Sequence, residues 1–438
     1  MSTTNLFWFT QDLRLDDNLA LHAASHCDQL LLVYCLDPSE FKPNRYGVQG
    51  MSQHRLRFLY EGLIDLDKQL QPLGQTLLIC MGNPVEVISS LIHQHKVSHV
   101  YTSDSVGNYE RKRWKTLTQR HQDVDFTRVN TTRLFELDQL PFSLENLPAS
   151  FSGFRKRVED LPINAPCPRI THLPPLVTRN HSWPVTLDRP ESDDSSPFVG
   201  GETAALEHLK DYFSSQAPQT YKETRNALDT WDHSTKFSPW LAQGSLSVRQ
   251  TLHALRQHEA TYGANDSTYW IYFELLWREY FHFNALKLGS QLFKFSGIKQ
   301  SKPLTSFYPQ RFRSWCEGNT PSAAVNACMK QLNATGYMSN RGRQWVASYL
   351  VNEMRIDWRY GAAYFEQQLL DYDVASNWGN WQYLGGVGAD PRGQRHFNLS
   401  KQVQMYDPNG EFIKRWGGES KVTHLDTVDA ADWPIMRH

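Results

Sequence analysis

The chain has 438 residues, more than one ordinary hydrophobic core accommodates, and this length predicts two domains. Hydrophobic residues make up 40% of it, as in a globular protein, and no stretch reaches the apolar length that spans a bilayer. The formal net charge of -1 excludes a strongly basic nucleic-acid binder, so any DNA contact must come from a local basic patch.

Cysteine usage and the N-terminus bear on the cellular compartment. The 6 cysteines show no Cys-x-x-Cys spacing, which argues against zinc or iron–sulfur ligation and against a disulfide framework. The N-terminus has neither the basic nor the apolar region of a signal peptide. We therefore expect a cytoplasmic protein without a metal site or a membrane segment, and by default a monomer.

Residues 1–130 alternate between strand and helix patterns. This alternation predicts an α/β domain with a five-stranded parallel sheet of the Rossmann-like kind, flanked by helices. The candidate strands are Leu6–Phe9, Leu30–Leu36, Thr76–Met81, His99–Ser103 and Asp125–Val129. The clearest candidate helices are Gln53–Leu70, Pro84–Val97, which Asn83 would cap, and Tyr109–Gln122.

The predicted sheet lacks a phosphate-binding loop. No Gly-x-Gly-x-x-Gly follows its first strand, so dinucleotide binding in the Rossmann manner is not expected. A ligand on this sheet would lie beyond the carboxyl ends of the strands, near Thr10–Arg14, Asp37–Pro38 and Asp104–Tyr109. Glu110, at the start of the next helix, is either an anchor for such a ligand or a solvated first-turn acid.

Residues 131–200 differ in composition from what precedes them. They are rich in proline and poor in periodic patterns, which predicts a long interdomain linker that runs over the surface. Phe151–Glu159 is a short basic helix candidate within the linker. Its Arg155, Lys156 and Arg157 form either a solvated face or phosphate contacts.

Residues 201–438 are predicted to form an all-α domain with a polar C-terminal tail that wraps the surface. Its most unusual helix carries Trp270, Glu274, Trp277 and Arg278 on one face. An ordinary core helix would carry aliphatic residues there, and the two charges are costly to bury unless they are paired. The pattern suits a flat ligand with polar edges, such as a flavin or a nucleobase. The alternative is an aromatic core with a surface ion pair.

Three further stretches place polar and aromatic residues where core residues are expected. The first is Ser234–Ser247, which places several hydroxyls and Lys236 just before a helix that begins at a proline. This arrangement indicates an anion site, and simple N-capping is the alternative. In Asn340–Val346 an amide and a guanidinium are helical neighbours. Asp371–Tyr383 combines two acids, an amide and several rings. Four stretches of one chemistry in one domain favour a site for a ring-bearing ligand.

The aromatic residues of this half suggest two roles. Trp358 and Trp381 are a candidate pair for electron transfer between indoles. Trp378 and Tyr383 are candidates for stacking on a nucleic-acid base.

Taken together, these motifs resemble the photolyase/cryptochrome family. In order, the chain shows Tyr221, then Ser-Thr-Lys-Phe-Ser-Pro-Trp-Leu-Ala, Trp-x3-Glu-Leu-Leu-Trp-Arg-Glu-Tyr, Thr-Gly-Tyr-Met-Ser-Asn-Arg-Gly-Arg-Gln, Asp-Trp-Arg and Asp-Tyr-Asp-x3-Asn-Trp-Gly-Asn-Trp-Gln-Tyr. The N-terminal Phe-Trp-Phe-Thr-Gln-Asp-Leu-Arg-Leu-Asp-Asp-Asn extends the resemblance over nearly the whole chain.

Two positions indicate the sub-family. Family members that repair cyclobutane dimers in double strands usually carry Met and Trp where this chain has Gln344 and Tyr383. With the tail His396–Pro408, the chain resembles the DASH-type cryptochromes. That group is associated with light-driven repair of pyrimidine dimers in single-stranded DNA.

The resemblance implies an FAD cofactor in the helical domain and a DNA substrate. FAD contacts are implied for Tyr221, Ser234, Thr235, Lys236, Phe237, Ser238, Trp270, Glu274, Arg278, Asn340, Arg343, Asp371, Asp373 and Asn377. Contacts with DNA and the flipped dimer are implied for Arg225, Trp277, Arg278, Asn340, Arg341, Gln344, Tyr383 and Gln402. Four residues are implied in catalysis: Glu274 bonding the dimer, Asn377 facing flavin N5, and Trp381 and Trp358 relaying electrons.

The resemblance also implies an antenna, 5,10-methenyltetrahydrofolate, between the two domains, with a different antenna or none as the alternative. Glu110 stands where an acidic folate contact is expected, and Lys299 is a candidate on the helical side. Thr305 occupies the expected position of a third relay tryptophan, so Tyr308 is a candidate substitute outlet.

The implied activity is electron donation from excited, reduced flavin to a pyrimidine dimer, preferably in a single strand. A blue-light photoreceptor that signals without repair is the alternative. A (6-4) photolyase would want histidines lining its lesion pocket, and none lies in the Asn340–Gln344 run.

Overall fold

The computed structural model describes residues 3–177, 189–190, 196–388, 396–420, 422 and 425. Within these residues the chain forms an N-terminal α/β domain followed by a helical domain, which confirms the predicted fold class. No described helix is both long and apolar enough to cross a membrane. The same residues contain no group of His, Cys, Asp and Glu that is arranged to hold a metal ion.

The N-terminal domain is built on one parallel sheet of five strands in the order β3-β2-β1-β4-β5. All its pairings are parallel, with Phe7 opposite Leu32 on one side and Tyr101 on the other. The central strand is buried along its whole length, because helices cover both faces of the sheet. The strands are β1 Thr4–Phe9, β2 Gln29–Leu36, β3 Leu78–Met81, β4 His99–Ser103 and β5 Asp125–Val129.

Three helices of this domain lie close to their predicted bounds, and the first one along the chain was not predicted. The helices are α1 Leu19–Ala24, α2 Gln53–Leu70, α3 Pro84–His95 and α4 Asn108–Arg120. Asn83 caps α3 by accepting from the Val85 amide at 2.9 Å, as its position before Pro84 predicts. Apolar residues of β1 and β2 alternate between the two faces of the sheet and pack against these helices.

The helical domain is organised around α10, its longest described helix. The helices are α6 Glu202–Ser214, α7 Tyr221–Thr224, α8 Ser238–Gln243, α9 Val248–Tyr262, α10 Asp266–Leu288, α11 Pro309–Glu317, α12 Ala323–Thr335, α13 Asn340–Asn352, α14 Trp358–Gln368, α15 Val374–Leu384, α16 Leu399–Tyr406 and α17 Glu411–Arg415. Buried residues surround α10, which packs against α7, α9 and α15. The helix therefore contributes residues to two of the polar groups described below, through Glu274 and His282.

The predicted surface course of the linker is wrong for its first part. Helix α5, Phe151–Val158, buries Phe151, Phe154 and Val158 in the core of the helical domain. Their i, i+3, i+7 spacing forms one apolar helix face, which the proline-rich composition obscured. Other stretches of the predicted linker, 178–188 and 191–195, lie outside the described residues. So do 389–395 and the end of the predicted tail, 426–438.

A buried polar cluster joins the two domains. Arg249 of α9 donates from Nε and Nη2 to the two carboxylate oxygens of Asp17, at 3.0 and 2.8 Å, and Ser247 donates to the same carboxylate. Arg14 donates to the carbonyl of Gly244 at 2.8 Å. Glu202 accepts from two backbone amides of the N-terminal domain. We call Arg14, Asp17, Glu202, Ser247 and Arg249 the interdomain lock, because its buried charges all have partners.

Candidate functional site

The first group of predicted residues lies where α7 meets α10. Arg225 donates to Glu274, and its guanidinium lies 4.6 Å from the centre of the Trp270 ring. The Glu274 side chain remains 32% exposed. Burial raises the pKa of Glu274, and the positive charge of Arg225 opposes this rise without cancelling it. Glu274 can therefore offer a ligand a carboxyl group that holds its proton more readily than usual.

The second group surrounds the start of α8. Lys236 is buried, has a left-handed backbone with φ of +53°, and donates from Nζ to Oγ of Ser234 at 2.9 Å. The N-cap position of α8 is Phe237, which has no side chain able to cap, so the neighbouring hydroxyls do not act as simple N-caps. The carbonyl of Thr235 pairs with His208. These hydroxyls and the buried cation remain consistent with the predicted anion site.

Asp371 links the second group to α13. Its Oδ2 accepts from Ser238 at 2.7 Å and from Arg343 at 2.8 Å. Tyr337 lies against both cations of this region, 5.1 Å from Lys236 Nζ and 5.6 Å from the Arg343 guanidinium. Three predicted cofactor stretches, far apart in the sequence, therefore meet at one place.

The third group lies between α10 and α15. Asp373 caps α15 by accepting from the Ser376 amide at 2.7 Å, and its other oxygen lies 3.1 Å from His282 Nε2. Burial alone would raise the pKa of Asp373, but His282 and Arg278 hold it well below its usual range. Asn377, one turn into α15, donates to the carbonyl of Ala362 at 3.0 Å.

Three polar atoms of these groups are buried without a hydrogen-bond partner among the described residues. They are Oδ1 of Asp371, Oδ1 of Asn377 and Nε1 of Trp381. Each unpaired group of this kind costs about 1–3 kcal/mol, so native proteins rarely keep several together unless a ligand pairs them. Two acceptors, one donor and a buried cation fit the hydroxyls, ring edges and phosphates of FAD.

A separate cluster surrounds Arg341 at the start of α13. Its guanidinium donates to Gln344 at 3.0 Å, to Gln402 at 3.3 Å and to Asn226 at 2.8 Å. Three predicted DNA contacts are thus held together, and Asn340 is exposed beside them. Asn226 was not predicted to belong to this cluster, although its position next to Arg225 in the sequence could have suggested it.

Aromatic side chains of α5, α10 and α15 pack against one another beside Glu274. Trp277 stacks on Phe151 with ring centres 3.8 Å apart and meets Tyr383 edge to face at 6.3 Å. Glu274 precedes Trp277 by one turn of α10. The basic residues of α5 follow Phe151 on the same short helix. Trp277 and Tyr383, which are predicted to pack against the lesion, therefore lie close to Glu274, which is predicted to bond to it.

Two predicted contacts need correction. Arg278 donates to the carbonyl of Thr132 at 2.6 Å and is mostly buried, so it faces the linker rather than the group around Arg341. Trp378 is buried away from Tyr383, because successive side chains of α15 point in different directions. Its indole donates to Glu366 at 3.0 Å. The predicted phosphate contact of Arg278 and the predicted base stacking of Trp378 are not supported.

A cavity of about 580 Å³ lies between the two domains. Glu110 lines it together with Asp37, which pairs with Arg113. The cavity lies at the carboxyl ends of the strands, as the sheet rule predicts. Lys299 does not line it.

Glu40 and Glu366 also line this cavity, and the sequence reasoning missed both. Burial raises the pKa of each carboxyl group. Glu40 lies in a short turn after β2 and Glu366 near the end of α14, so no local sequence pattern predicts that both line one cavity.

Comparison with known proteins agrees with this arrangement. A family model described as DNA photolyase matches residues 5–172, and one described as the FAD binding domain of DNA photolyase matches residues 270–433. A cryptochrome DASH of Idiomarina loihiensis is 53% identical over 98% of this chain and 96% of its own length. The chain belongs to the photolyase/cryptochrome family.

Solved structures of this family share the architecture. A cryptochrome of Synechocystis sp. PCC6803 has a TM-score of 0.91 at 38% identity, over 94% of this chain and 88% of that one. An archaeal photolyase of Sulfolobus tokodaii, described with two FAD molecules, has a TM-score of 0.75 at 26% identity, over 94% of this chain and 90% of that one.

The rings of the predicted relay differ from the photolyase/cryptochrome pattern at the outer end. Trp358 donates to the carbonyl of Phe295 at 3.1 Å and meets Trp378 edge to face at 5.9 Å. Trp378 in turn lies 6.2 Å from the ring of Tyr46. No ring contact joins Trp358 to Tyr308 among the described residues. Among the described residues, the ring contact of Trp358 therefore leads to Trp378 and Tyr46 and not to Tyr308.

Proposed function

We propose that this protein uses blue light and FAD to repair cyclobutane pyrimidine dimers, with a preference for single-stranded DNA. The observation that carries the proposal is the position of Glu274. Glu274 pairs with Arg225 beside the Trp270 ring, a position that the resemblance implies for FAD. It also lies one helical turn before Trp277, whose ring meets that of Tyr383. An acid at that junction can touch a lesion that lies against the cofactor.

The protein residues would position the lesion and stabilise its charge. When bound and reduced, FAD supplies the electron on excitation. Glu274 would lie beside a pyrimidine carbonyl and, in its protonated form, would donate a hydrogen bond to it as negative charge develops there. Arg225 would hold the carboxyl group in place, and the rings of Trp277 and Tyr383 would pack against the flat faces of the dimer.

Energetics support the preference for single strands. A dimer in duplex must be extruded before it reaches a buried site, at a cost of a few kcal/mol. The chain has no net positive charge with which to offset that cost through the phosphate backbone. Arg341 and the basic residues of α5 offer local contacts that suffice for a flexible strand.

We further propose that the interdomain cavity holds a folate antenna. Glu40, Glu110 and Glu366 present carboxyl oxygens, and a pterin ring presents N–H donors along one edge. The rings of Tyr46 and Trp378 supply flat apolar walls in the same cavity. A flavin ring has fewer N–H donors than a pterin, so the acids favour the folate.

The experiment is a repair assay with purified holoprotein, reductant and blue light on a thymine-dimer oligonucleotide, once single-stranded and once in duplex. We expect repair of the single strand and little repair of the duplex. Glu274→Ala should lower the repair yield at least tenfold, because the hydrogen-bond donor to the lesion is lost, while flavin content stays the same. Asp266→Asn, at the exposed start of the same helix, is the matched control and should repair normally.

Other outcomes would redirect the assignment. Efficient repair of both substrates would show that Gln344 and Tyr383 do not exclude duplex DNA. No repair of either, by protein whose flavin is bound and responds to light, would overturn the repair proposal and favour a blue-light photoreceptor.

A further inference from the structure

Three buried indoles of α14 and α15 differ in what their N–H groups meet. Trp378 donates from Nε1 to Oε2 of Glu366 at 3.0 Å. The indole of Trp358 donates to a backbone carbonyl, and that of Trp381 has no hydrogen-bond partner among the described residues. A carboxylate can take up a proton near neutral pH, whereas a peptide carbonyl only accepts a hydrogen bond. Of these three indoles, Trp378 is therefore the one that contacts a base.

The three rings follow one another through the helical domain. Trp381 packs against α14 at Gly361, one turn after Trp358, and a Cβ added to this glycine would lie 2.2 Å from the indole. Trp358 meets Trp378 edge to face, with ring centres 5.9 Å apart. The order is thus Trp381, Trp358 and Trp378, and the acid stands at the last position.

The surroundings of Glu366 make its carboxylate a good proton acceptor. Burial raises its pKa, and the like charge of Glu40, in the turn after β2, acts in the same direction. Hydrogen bonds from Tyr372 and Trp378 and the positive charge of Arg55, on α2, oppose the rise without cancelling it. Glu366 also lines the interdomain cavity, which gives its carboxyl group a route to exchange a proton with solvent.

Loss of an electron would make the N–H group of Trp378 far more acidic. The oxidised indole is a radical cation, and a charge buried at this position, where the residue is 3% exposed, is costly unless it is neutralised. The existing hydrogen bond already directs the proton to an acceptor. Transfer along this bond replaces a buried cation and a buried carboxylate by two neutral groups.

We propose that Trp378 is an electron donor of the light-driven relay and that Glu366 takes its proton as the indole is oxidised. The oxidant is the photoexcited flavin, which acts through Trp381 and Trp358. The radical cation of Trp358 takes one electron from Trp378 and is restored. The N–H bond of Trp378 breaks, an O–H bond forms on Glu366, and a neutral indole radical remains. A thiol in solution later returns the electron, and Glu366 returns the proton.

The inference rests on the FAD and the electron relay that the resemblance implies, and not on the lesion that is repaired. Repair by chemically reduced protein needs no relay, so it tests the proposed function separately. A protein that repairs dimers can therefore fail the test below, and a protein that passes it can fail to repair.

The test is light-driven flavin reduction by flavin-loaded protein with an added thiol, in ordinary and in heavy water. Laser-flash absorbance distinguishes the neutral indole radical from its cation. We expect the unaltered protein to form the neutral radical and to be reduced more slowly in heavy water. As pH falls through the raised pKa of Glu366, its carboxylate becomes protonated, so the rate should fall.

Glu366→Gln keeps a hydrogen-bond acceptor for the indole but cannot take its proton. The radical cation should then persist and recombine, so reduction should slow severalfold and lose both its isotope effect and its pH dependence. In Glu366→Gln/Trp378→Phe the rate should equal that of Trp378→Phe alone, because the acid has no proton to take. Glu353→Gln is the matched control, since this partly exposed carboxylate pairs with His396, and it should behave as the unaltered protein.

Three results would overturn the proposal. The first is an unaltered protein that forms no neutral indole radical or shows no isotope effect. The second is an equal rate and an equal radical spectrum in Glu366→Gln. The third is a further loss on adding Glu366→Gln to Trp378→Phe, which would assign the acid a purely structural role. Undiminished reduction in Trp381→Phe would overturn the relay itself.

Discussion

The interdomain lock and the predicted cofactor groups are both buried and polar, but they differ in how completely they are paired. In the lock, Asp17 accepts from Arg249 and Ser247 with both of its oxygens. In the cofactor groups, Asp371 and Asn377 each keep one buried oxygen without a partner. A complete network stabilises the fold, whereas the unpaired atoms of the cofactor groups remain available to a ligand.

This difference has consequences for mutation. Removing one member of the lock leaves a buried charge behind, so stability must fall. Removing an unpaired atom from the cofactor groups leaves no other buried group without its partner, so the stability of the ligand-free protein should change little. The affinity for the ligand should fall instead, because the ligand loses a hydrogen-bond partner. Stability and affinity therefore separate the two kinds of cluster in an experiment.

The largest expected effect is on the lock. Arg249→Met should lower the free energy of unfolding by about 3–5 kcal/mol, because the fully buried Asp17 carboxylate loses its ion pair. Urea unfolding followed by tryptophan fluorescence measures the change. Arg256→Met, on the exposed face of the same helix, is the control and should cost less than about 1 kcal/mol. Similar losses for the two variants would show that the lock is not a stabilising network.

The lock also marks the limit of what the sequence could predict. The five strands and the main helices could be predicted from the sequence, because the hydrophobic periodicity that indicates each one lies within its own residues. Asp17 and Arg249 lie 232 residues apart, and no sequence pattern near either residue predicts their ion pair. The same holds for Glu40 and Glu366, which one cavity brings together from two domains.

The cofactor stretches were predictable for a different reason. Each places polar and aromatic residues where a core helix would carry aliphatic ones, and the structure brings Ser238, Arg343 and Asp371 into direct contact. The direction of each side chain was not predictable. Arg278 is held by a hydrogen bond to the Thr132 carbonyl in the linker, and Trp378 by a hydrogen bond to Glu366 of α14, and no local sequence pattern indicates either contact.

The second prediction concerns an unpaired atom. Asn377→Leu removes a buried acceptor that has no partner and one hydrogen bond to Ala362. In the flavin-free protein these two effects offset each other, so stability should change by less than about 1 kcal/mol. Flavin affinity should fall about tenfold or more, because the partner of the ring edge is lost. Flavin fluorescence titration measures affinity, and unfolding of the apoprotein measures stability. A large loss of apoprotein stability with unchanged affinity would reverse the assignment of Asn377.

The third prediction is a pH dependence at Glu279, a buried residue of α10 that faces the linker. Burial raises its pKa from 4.5 to about 7, against the opposing effects of Arg278 and the Leu134 and Phe135 amides. Between these two values the folded state binds more protons than the unfolded state, so stability falls as pH rises, and the loss is complete above the folded pKa.

Glu279→Gln removes this ionisation and should leave a flatter stability profile. The variant should resemble the unaltered protein near pH 5 and exceed it near pH 8 by at most about 3 kcal/mol, the free energy of the shift. Urea midpoints at the two pH values measure the difference. Glu202, whose pKa burial also raises to about 7, titrates in both proteins and cancels in the comparison. Parallel profiles would show that Glu279 does not titrate in this range.

The smallest expected effect tests the outlet of the relay. Trp381 has an unpaired Nε1, whereas the indoles of Trp358 and Trp378 each donate to an oxygen, so Trp381 keeps a donor that a ligand can pair. With an added thiol as electron donor, Trp378→Phe should slow light-driven flavin reduction severalfold, because it removes the ring that contacts both Trp358 and Tyr46. Tyr308→Phe should leave the rate unchanged, and Trp381→Phe should abolish the reaction and provide the baseline. A loss in Tyr308→Phe without one in Trp378→Phe would return the outlet to the residue that the sequence suggested, and would show that ring contacts do not determine the route.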